Sequence, residues 1–232
     1  MTPWLQSQRL DDVVFANLGH DLGCFDRETE LDEFRQRIKG ATRIELTICS
    51  CGGDSVVGIR LHDVLRLRHV EVLISGQCWS AAATVALAGR HIAIQRGGSI
   101  LLHSPVAYAV GSPSELRAEA EQLEKLAGRI ASIIAERTGQ TMATVTNWLS
   151  RDTLFDCEKA KAAGLVDEII EAPRLPCVEA PTCQGPSGVG PTEAEALFWQ
   201  WATAFGQVNV RDRQAFGREL ATWFTRSVKE ES

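Results

Sequence analysis

Apolar positions along the chain recur with two periods. Arg43-Ile44-Glu45-Leu46-Thr47-Ile48 alternates polar and apolar, the pattern of a half-buried strand. Gly52-Gly53 then predicts a turn, and Val57, Leu61, Val64 and Leu65 mark one face of a helix after it. The apolar run Val70–Ser75 reads as a second strand that ends at Gly76, before an alanine-rich helix from Ser80 to about Ala88. Ser99–Leu102 is a short apolar strand that ends in His103 and is stopped by Pro105. Ser114–Thr138 carries an apolar stripe of Leu116, Leu123, Leu126, Ile130, Ile133 and Ile134, with Gly139 as its C-cap. At 1.5 Å per residue that helix is roughly 37 Å long. A shorter helix, Thr141–Leu149, leads to Asp152 at a helix-to-strand junction; Asp156 caps another short helix, and Gly164–Ile170 reads as a turn and strand. With a strand over Val13–Gly19, the alternation of strands and helices across residues 12–172 predicts an α/β domain with largely parallel pairing.

Chemistry enters at three of these junctions. Ser80 stands at the mouth of a helix, where unpaired N–H groups lie beside the place an oxyanion would form. Serine is also a common helix cap, so the residue alone says little. The glycines of Gly52-Gly53 let backbone N–H groups approach a ligand with no Cβ in the way, although strand-to-helix turns are common too. A strand-end histidine such as His103 becomes a candidate base only beside a nucleophile with its own claim to the site. Asp152 alone reads as a surface turn aspartate.

Taken together, these segments resemble the Clp protease proteolytic subunit family and its relatives among phage head-maturation proteases. Ser50-Cys51-Gly52-Gly53 stands for the family's Ser-Pro-Gly-Gly, Gly76-Gln77-Cys78-Trp79-Ser80 for its Gly-Gln-Ala-Ala-Ser, and Leu102-His103-Ser104-Pro105 for its Ile-His-Gln-Pro. Thr138-Gly139-Gln140, Arg151-Asp152 and Ala160 through Asp167 follow in family order, so the resemblance spans about Asp12 to Ala172. It implies the spiral fold shared by Clp proteases and crotonases, with a long handle helix. It also implies Ser80 as nucleophile, His103 as general base, Asp152 as the carboxylate that orients it, and the backbone N–H groups of Gly53 and Ala81 as the oxyanion hole. A homo-oligomeric ring acting on peptides or unfolded protein follows from the same resemblance, in protein turnover with an ATP-dependent unfoldase or in head maturation. The chain departs from the family where Cys51 replaces the proline that stiffens the glycine turn, and where Cys78 and the bulky Trp79 replace two small residues. Trp79 is expected to find room beside the site and to shape the substrate pocket. A crotonase-like acyl-CoA enzyme and a catalytically silent ring scaffold are the alternative readings; neither needs Ser80, His103 and Asp152 as a set.

Composition narrows the field. The net charge of -6 argues against nucleic acid or anionic membrane as the main partner. No apolar run approaches the length of a membrane span, the N-terminus does not read as a signal peptide, and a cytoplasmic location is expected. Seven cysteines, an odd number scattered mostly in apolar runs, read as reduced thiols rather than a disulfide framework. A zinc site would want tighter ligand pairs than Cys49 and Cys51 with Cys177 and Cys183 offer, so neither metal nor cofactor is expected. The domain reading is a protease domain over 1–172, a linker rich in proline and glycine over 173–192, and an amphipathic helical extension over 193–232. In that extension Trp201, Phe205, Trp223 and Phe224 lie on aromatic stripes that require a surface to pack against.

Overall fold

The computed structural model describes residues 5–19, 22 and 27–171. They fall into two compact units, one of residues 5–107 and 119–171 and one containing residues 108–118, each described by itself. The linker and helical extension expected after residue 172 lie outside the described residues.

The first unit is built on an eight-stranded sheet. Strands β1 (Leu5–Leu10) and β2 (Val13–Leu18) form an antiparallel hairpin that turns at Asp11, whose φ is 52°. From β2 onward the order runs through β3 (Arg43–Ser50), β4 (Val70–Trp79), β5 (His91–Gln95) and β8 (Glu168–Ile170), all paired parallel. The alternation read in the sequence buries Ile44, Leu46 and Ile48 from β3, beside Val70, Val72 and Ile74 from β4. Strand β4 does not stop at Gly76. It continues to Trp79 because it changes partner: Glu71–Ile74 pair with β5, and Gln77–Trp79 pair with β6 (Ser99–Leu102). Strand β7 (Thr153–Asp156) then runs antiparallel to β6. This fork brings the end of β4 and the end of β6 side by side.

The helices cover the sheet for simple reasons. Helix α1 (Arg27–Arg37) is mostly polar, yet Leu31 and Phe34, with Ile38 just past its end, are buried at helical spacing. Helix α2 (Ser55–Leu65) starts at Asp54, whose carboxylate accepts the N–H of Val56 at 2.8 Å and of Val57 at 3.0 Å. Helix α3 (Ala81–Ala86) is buried on every side, and only small residues allow so close an approach to the sheet. Helix α4 (Pro113–Thr138) buries only Ile130, Ala131, Ile133 and Ile134, near its C-terminal end. Each large aliphatic side chain there contributes about 1.5–3 kcal/mol of burial, enough to anchor that end in the core. Residues 113–118 of the same helix belong to the second unit. Helices α5 (Met142–Ser150) and α6 (Cys157–Ala162) are capped by Thr141 and Asp156, each accepting an N–H in the first turn. No helix among the described residues is long and apolar enough to cross a membrane.

Candidate active site

Strand β4 ends by handing its chain to α3 through one residue, Ser80, in a conformation that serine rarely adopts: φ 57°, ψ -125°. The turn is held in place because the Ser80 N–H donates to the Leu101 carbonyl of β6 at 2.8 Å, while the Ser80 carbonyl accepts from Ala83. Its hydroxyl makes no capping bond to the helix it introduces. Instead Ser80 Oγ lies 2.6 Å from His103 Nε2, so with the imidazole proton on Nδ1 the hydroxyl donates to Nε2. His103 is the residue after β6, and the N–H of Ser104 donates to the Leu149 carbonyl at the end of α5, which fixes the chain leaving the histidine.

The glycine turn closes over this pair. Ser50 is fully buried, and its hydroxyl accepts the N–H of Gly52 at 3.1 Å. Gly52, at φ 103°, packs so tightly on the serine elbow that a Cβ there would lie 2.6 Å from the Trp79 carbonyl oxygen, 2.7 Å from Ser80 Cβ and 3.0 Å from Ala81 N. Gly53, at φ 127°, is pressed against the backbone of Leu22, which donates its N–H to the Gly52 carbonyl and accepts from Asp54. Among hydrogen bonds of the described residues, neither the Gly53 nor the Ala81 N–H is used. The two donors named in the sequence are thus free to bind something else. Beside the serine and histidine opens a pocket lined by Ser55, Ala81, Thr84, Leu102, Ile130 and Leu149.

Asp152 stands apart. The antiparallel register of β6 and β7 pairs Leu102 with Thr153, so one step further along each strand places Asp152 opposite His103. Its backbone is left-handed, φ 47°, its side chain is exposed, and no hydrogen bond joins it to the imidazole. Trp79 is not among the residues that line this pocket. Its indole N–H donates to Ser99 Oγ at 3.0 Å, and strand alternation sets it on the sheet face away from buried Cys78, beside Leu101.

Two features escaped the sequence reading. Strand β1 went unread, although Leu5–Leu10 and Val13–Leu18 flank an Asp-Asp turn. The cysteines also require a correction: Cys49, Cys78 and Cys157 are buried and outside any disulfide, but Cys51 is disulfide-bonded. Burial, reinforced by the neighbouring Cys49, pushes the Cys78 thiol far above its ordinary value and leaves it inert. Among the described residues, no group of His, Cys, Asp or Glu is placed to hold a metal ion.

A family model described as Clp protease matches residues 34–173, more than half of the chain. The chain belongs to the Clp protease family. It is 34% identical over 136 residues to the ATP-dependent Clp protease proteolytic subunit 1 of Streptomyces avermitilis, a match covering 56% of this chain and 62% of that protein. It is 32% identical to proteolytic subunit 2 of Corynebacterium efficiens, over 55% of this chain and 66% of that one. The match thus spans less than two thirds of these relatives' length. Among solved structures, a mutant of ClpP1 from Listeria monocytogenes superposes with a TM-score of 0.60 at 25% identity, covering 68% of this chain and 91% of that one. The forked sheet and long α4 are therefore the Clp protease fold, as the sequence motifs implied.

Proposed function

We propose that this Clp-family chain is a serine endopeptidase that cleaves peptide bonds through an acyl-enzyme. The observation that carries the reading is the 2.6 Å approach of His103 Nε2 to Ser80 Oγ, at a strained elbow beside two unused backbone amides. Backbone strain of this kind costs on the order of 1–3 kcal/mol and persists where a function requires it. In the reaction His103 takes the hydroxyl proton as Ser80 Oγ attacks the substrate carbonyl, then gives it to the leaving amine. The oxyanion of the tetrahedral intermediate accepts hydrogen bonds from the N–H groups of Gly53 and Ala81, each worth about 3 kcal/mol in comparable sites. Asp152 orients the imidazole through Nδ1 and stabilises its charged form, after a short rearrangement that brings the carboxylate to it. The pocket walls Leu102, Ile130 and Leu149 favour an apolar substrate side chain.

The relatives named above are ATP-dependent proteolytic subunits, and this chain on our reading likewise works as a homo-oligomeric ring on unfolded protein. An ATP-dependent unfoldase delivers that protein in turnover; in a phage-type setting the ring matures a capsid. An acyl-CoA enzyme of the crotonase kind would use the two amides but has no need of the Ser80–His103 pair. A serine-directed fluorophosphonate separates the readings: labelling of Ser80, lost in Ser80→Ala and strongly slowed in His103→Ala, supports the protease. A chain that hydrolyses peptides while Ser80 stays unlabelled removes Ser80 from the mechanism.

A further inference from the structure

Thr84 is the one polar side chain of α3, and it follows Ser80 by four residues. That spacing sets the two on one face of the helix, one turn apart, and the Thr84 N–H donates to the Ser80 carbonyl at 3.4 Å. Side chains on a helix lean toward its N-terminus, so Thr84 leans toward the turn that carries the nucleophile. It is 4% exposed and lines the pocket beside Ser80 and His103. Among the described residues its hydroxyl has no hydrogen-bond partner.

The pocket is short. Its space is about 240 Å³ counting the open mouth, below the roughly 300–1,000 Å³ of sites that take drug-sized molecules. Past the mouth there is room for about one water-sized group. The walls are not free to retreat. Leu102, Ile130 and Leu149 are buried members of the core cluster, and a close-packed core resists the loss of contacts that widening would need. Thr84 is held by α3, which is itself pinned from behind: a Cβ on Gly58 of α2 would lie 3.0 Å from Ala81 Cβ. Ala81 lines the pocket and also carries one of the two unused amides, so the side chain that enters belongs to the residue whose carbonyl is attacked.

A long apolar side chain meets two obstacles here. It runs out of room at Thr84. It also covers the Thr84 hydroxyl with hydrocarbon, and stranding a buried hydroxyl destabilises by more than a formed hydrogen bond stabilises. A short side chain meets neither, because it leaves space over the hydroxyl for one water. We infer that Thr84 is the floor of the pocket and the specificity-determining residue of this site. The residue that supplies the scissile carbonyl carries a short apolar side chain, of alanine size, and leucine, methionine and phenylalanine are rejected. The inference rests on the protease reading and adds a size limit to it.

The test uses the full-length chain and fluorogenic peptides that differ only in the residue before the cleaved bond: alanine, α-aminobutyrate, valine, leucine or phenylalanine. The wild type should cut the alanine peptide with kcat/KM at least about tenfold above the leucine peptide, since one methylene in a fixed pocket is worth about 10–200-fold. Thr84→Ala lowers the floor and should raise kcat/KM for the leucine peptide about tenfold, a gain that loss of structure does not produce. Thr84→Val keeps the bulk and drops the hydroxyl, so it should still prefer alanine, with the ratio narrowed by about fivefold at most. A wild type that favours leucine or phenylalanine overturns the inference. So does an unchanged alanine-to-leucine ratio in Thr84→Ala, or a ratio in Thr84→Val that matches the one in Thr84→Ala. If Thr84→Ala does not fold, Thr84→Ser takes its place and must raise the α-aminobutyrate or valine peptide relative to alanine. Fluorophosphonate labelling of Ser80 alongside the wrong size ranking overturns the size limit alone. An unlabelled Ser80 with no peptide cut overturns the protease reading, and the size limit with it.

Discussion

Replacing Gly52 by alanine adds one methyl group at the tightest point of the site. At φ 103° an L residue is strained whatever its surroundings, at a cost on the order of 1–3 kcal/mol. The added Cβ would also sit 2.6 Å from the Trp79 carbonyl oxygen, 2.7 Å from Ser80 Cβ and 3.0 Å from Ala81 N. Two of these three atoms are backbone, so no flexible side chain can swing aside. Overpacking of this kind costs typically about 1–3 kcal/mol more. The sum is roughly 2–6 kcal/mol, and for a chain of this length each kcal/mol lowers the melting temperature by roughly 2–4 °C. The backbone must give way by moving the serine elbow or the Ala81 amide, so the chemistry suffers beyond the loss of stability. We expect Gly52→Ala to slow fluorophosphonate labelling of Ser80 by about a hundredfold or more at a temperature where the variant is folded. Gly40→Ala is the control. Its φ is 71° with nothing within 4 Å of the added Cβ, so it bears the backbone strain without the clash. It should lower the melting temperature modestly and leave labelling untouched. Gly52→Ala that melts and labels like Gly40→Ala would refute the claim that the turn is pressed against the nucleophile.

Other outcomes follow from the same geometry. Ser80→Ala and His103→Ala should each abolish peptide hydrolysis, measured by a fluorogenic peptide, with far less than additive loss in the double variant because the pair acts as a unit. Burial holds the His62 imidazole below its ordinary pKa against the opposing pull of Asp63, with Arg66 and Arg129 adding to the depression. Its stabilisation is therefore complete above about pH 6.5 and is lost as pH falls below that value, because the unfolded chain takes up the proton first. Thermal melts between pH 7.5 and 5.5 should fall less steeply in His62→Gln than in the wild type. Family membership, rather than the site's geometry, leads us to expect an oligomer by light scattering at micromolar concentration; a monomer would count against confined proteolysis. Truncation at Pro173 should leave Ser80 open to a small probe while changing assembly, solubility or the choice of protein substrate; failure to fold would place the tail in the core.

Much of the fold was legible because strand and helix periods are strong where one face is buried. The alternation of β3 and the run of β4 read correctly for that reason; the stripe of α4 is buried only from Ile130 to Ile134, and Leu116 at its other end is exposed. Gly76 misled because a glycine in an apolar run resembles a stop, whereas here β4 passes through it to exchange β5 for β6. Strand pairing decides that point, and no local pattern announces it. Ser80 and His103 were legible as motifs, but their 2.6 Å approach depends on the same fork. Sequence adjacency to Ser80 says nothing of sheet face, and strand alternation sets Trp79 opposite Cys78, beside Leu101. The Cys51 disulfide was missed because an odd count of scattered cysteines carries no pairing information.

At Asp152, strand register and side-chain exposure support two different roles. The ladder that pairs Ser99 with Asp156 and Leu102 with Thr153 sets Asp152 across from His103. Yet the carboxylate is exposed and makes no bond to the ring, and the left-handed φ of 47° turns the chain at that residue. A residue that merely turned the chain would gain from glycine or asparagine, both of which tolerate this conformation. A residue that orients the imidazole needs the charge. Asp152→Asn keeps the size and the turn and removes only the charge, so it separates the two roles. If the carboxylate reaches His103 Nδ1 during turnover, kcat should fall by about 10²–10⁴ while the melting temperature stays within a degree or two. The rate at which fluorophosphonate labels Ser80 should fall with it. A loss of less than twofold in both would leave the site a Ser80–His103 pair, with Asp152 serving the turn between α5 and β7 alone.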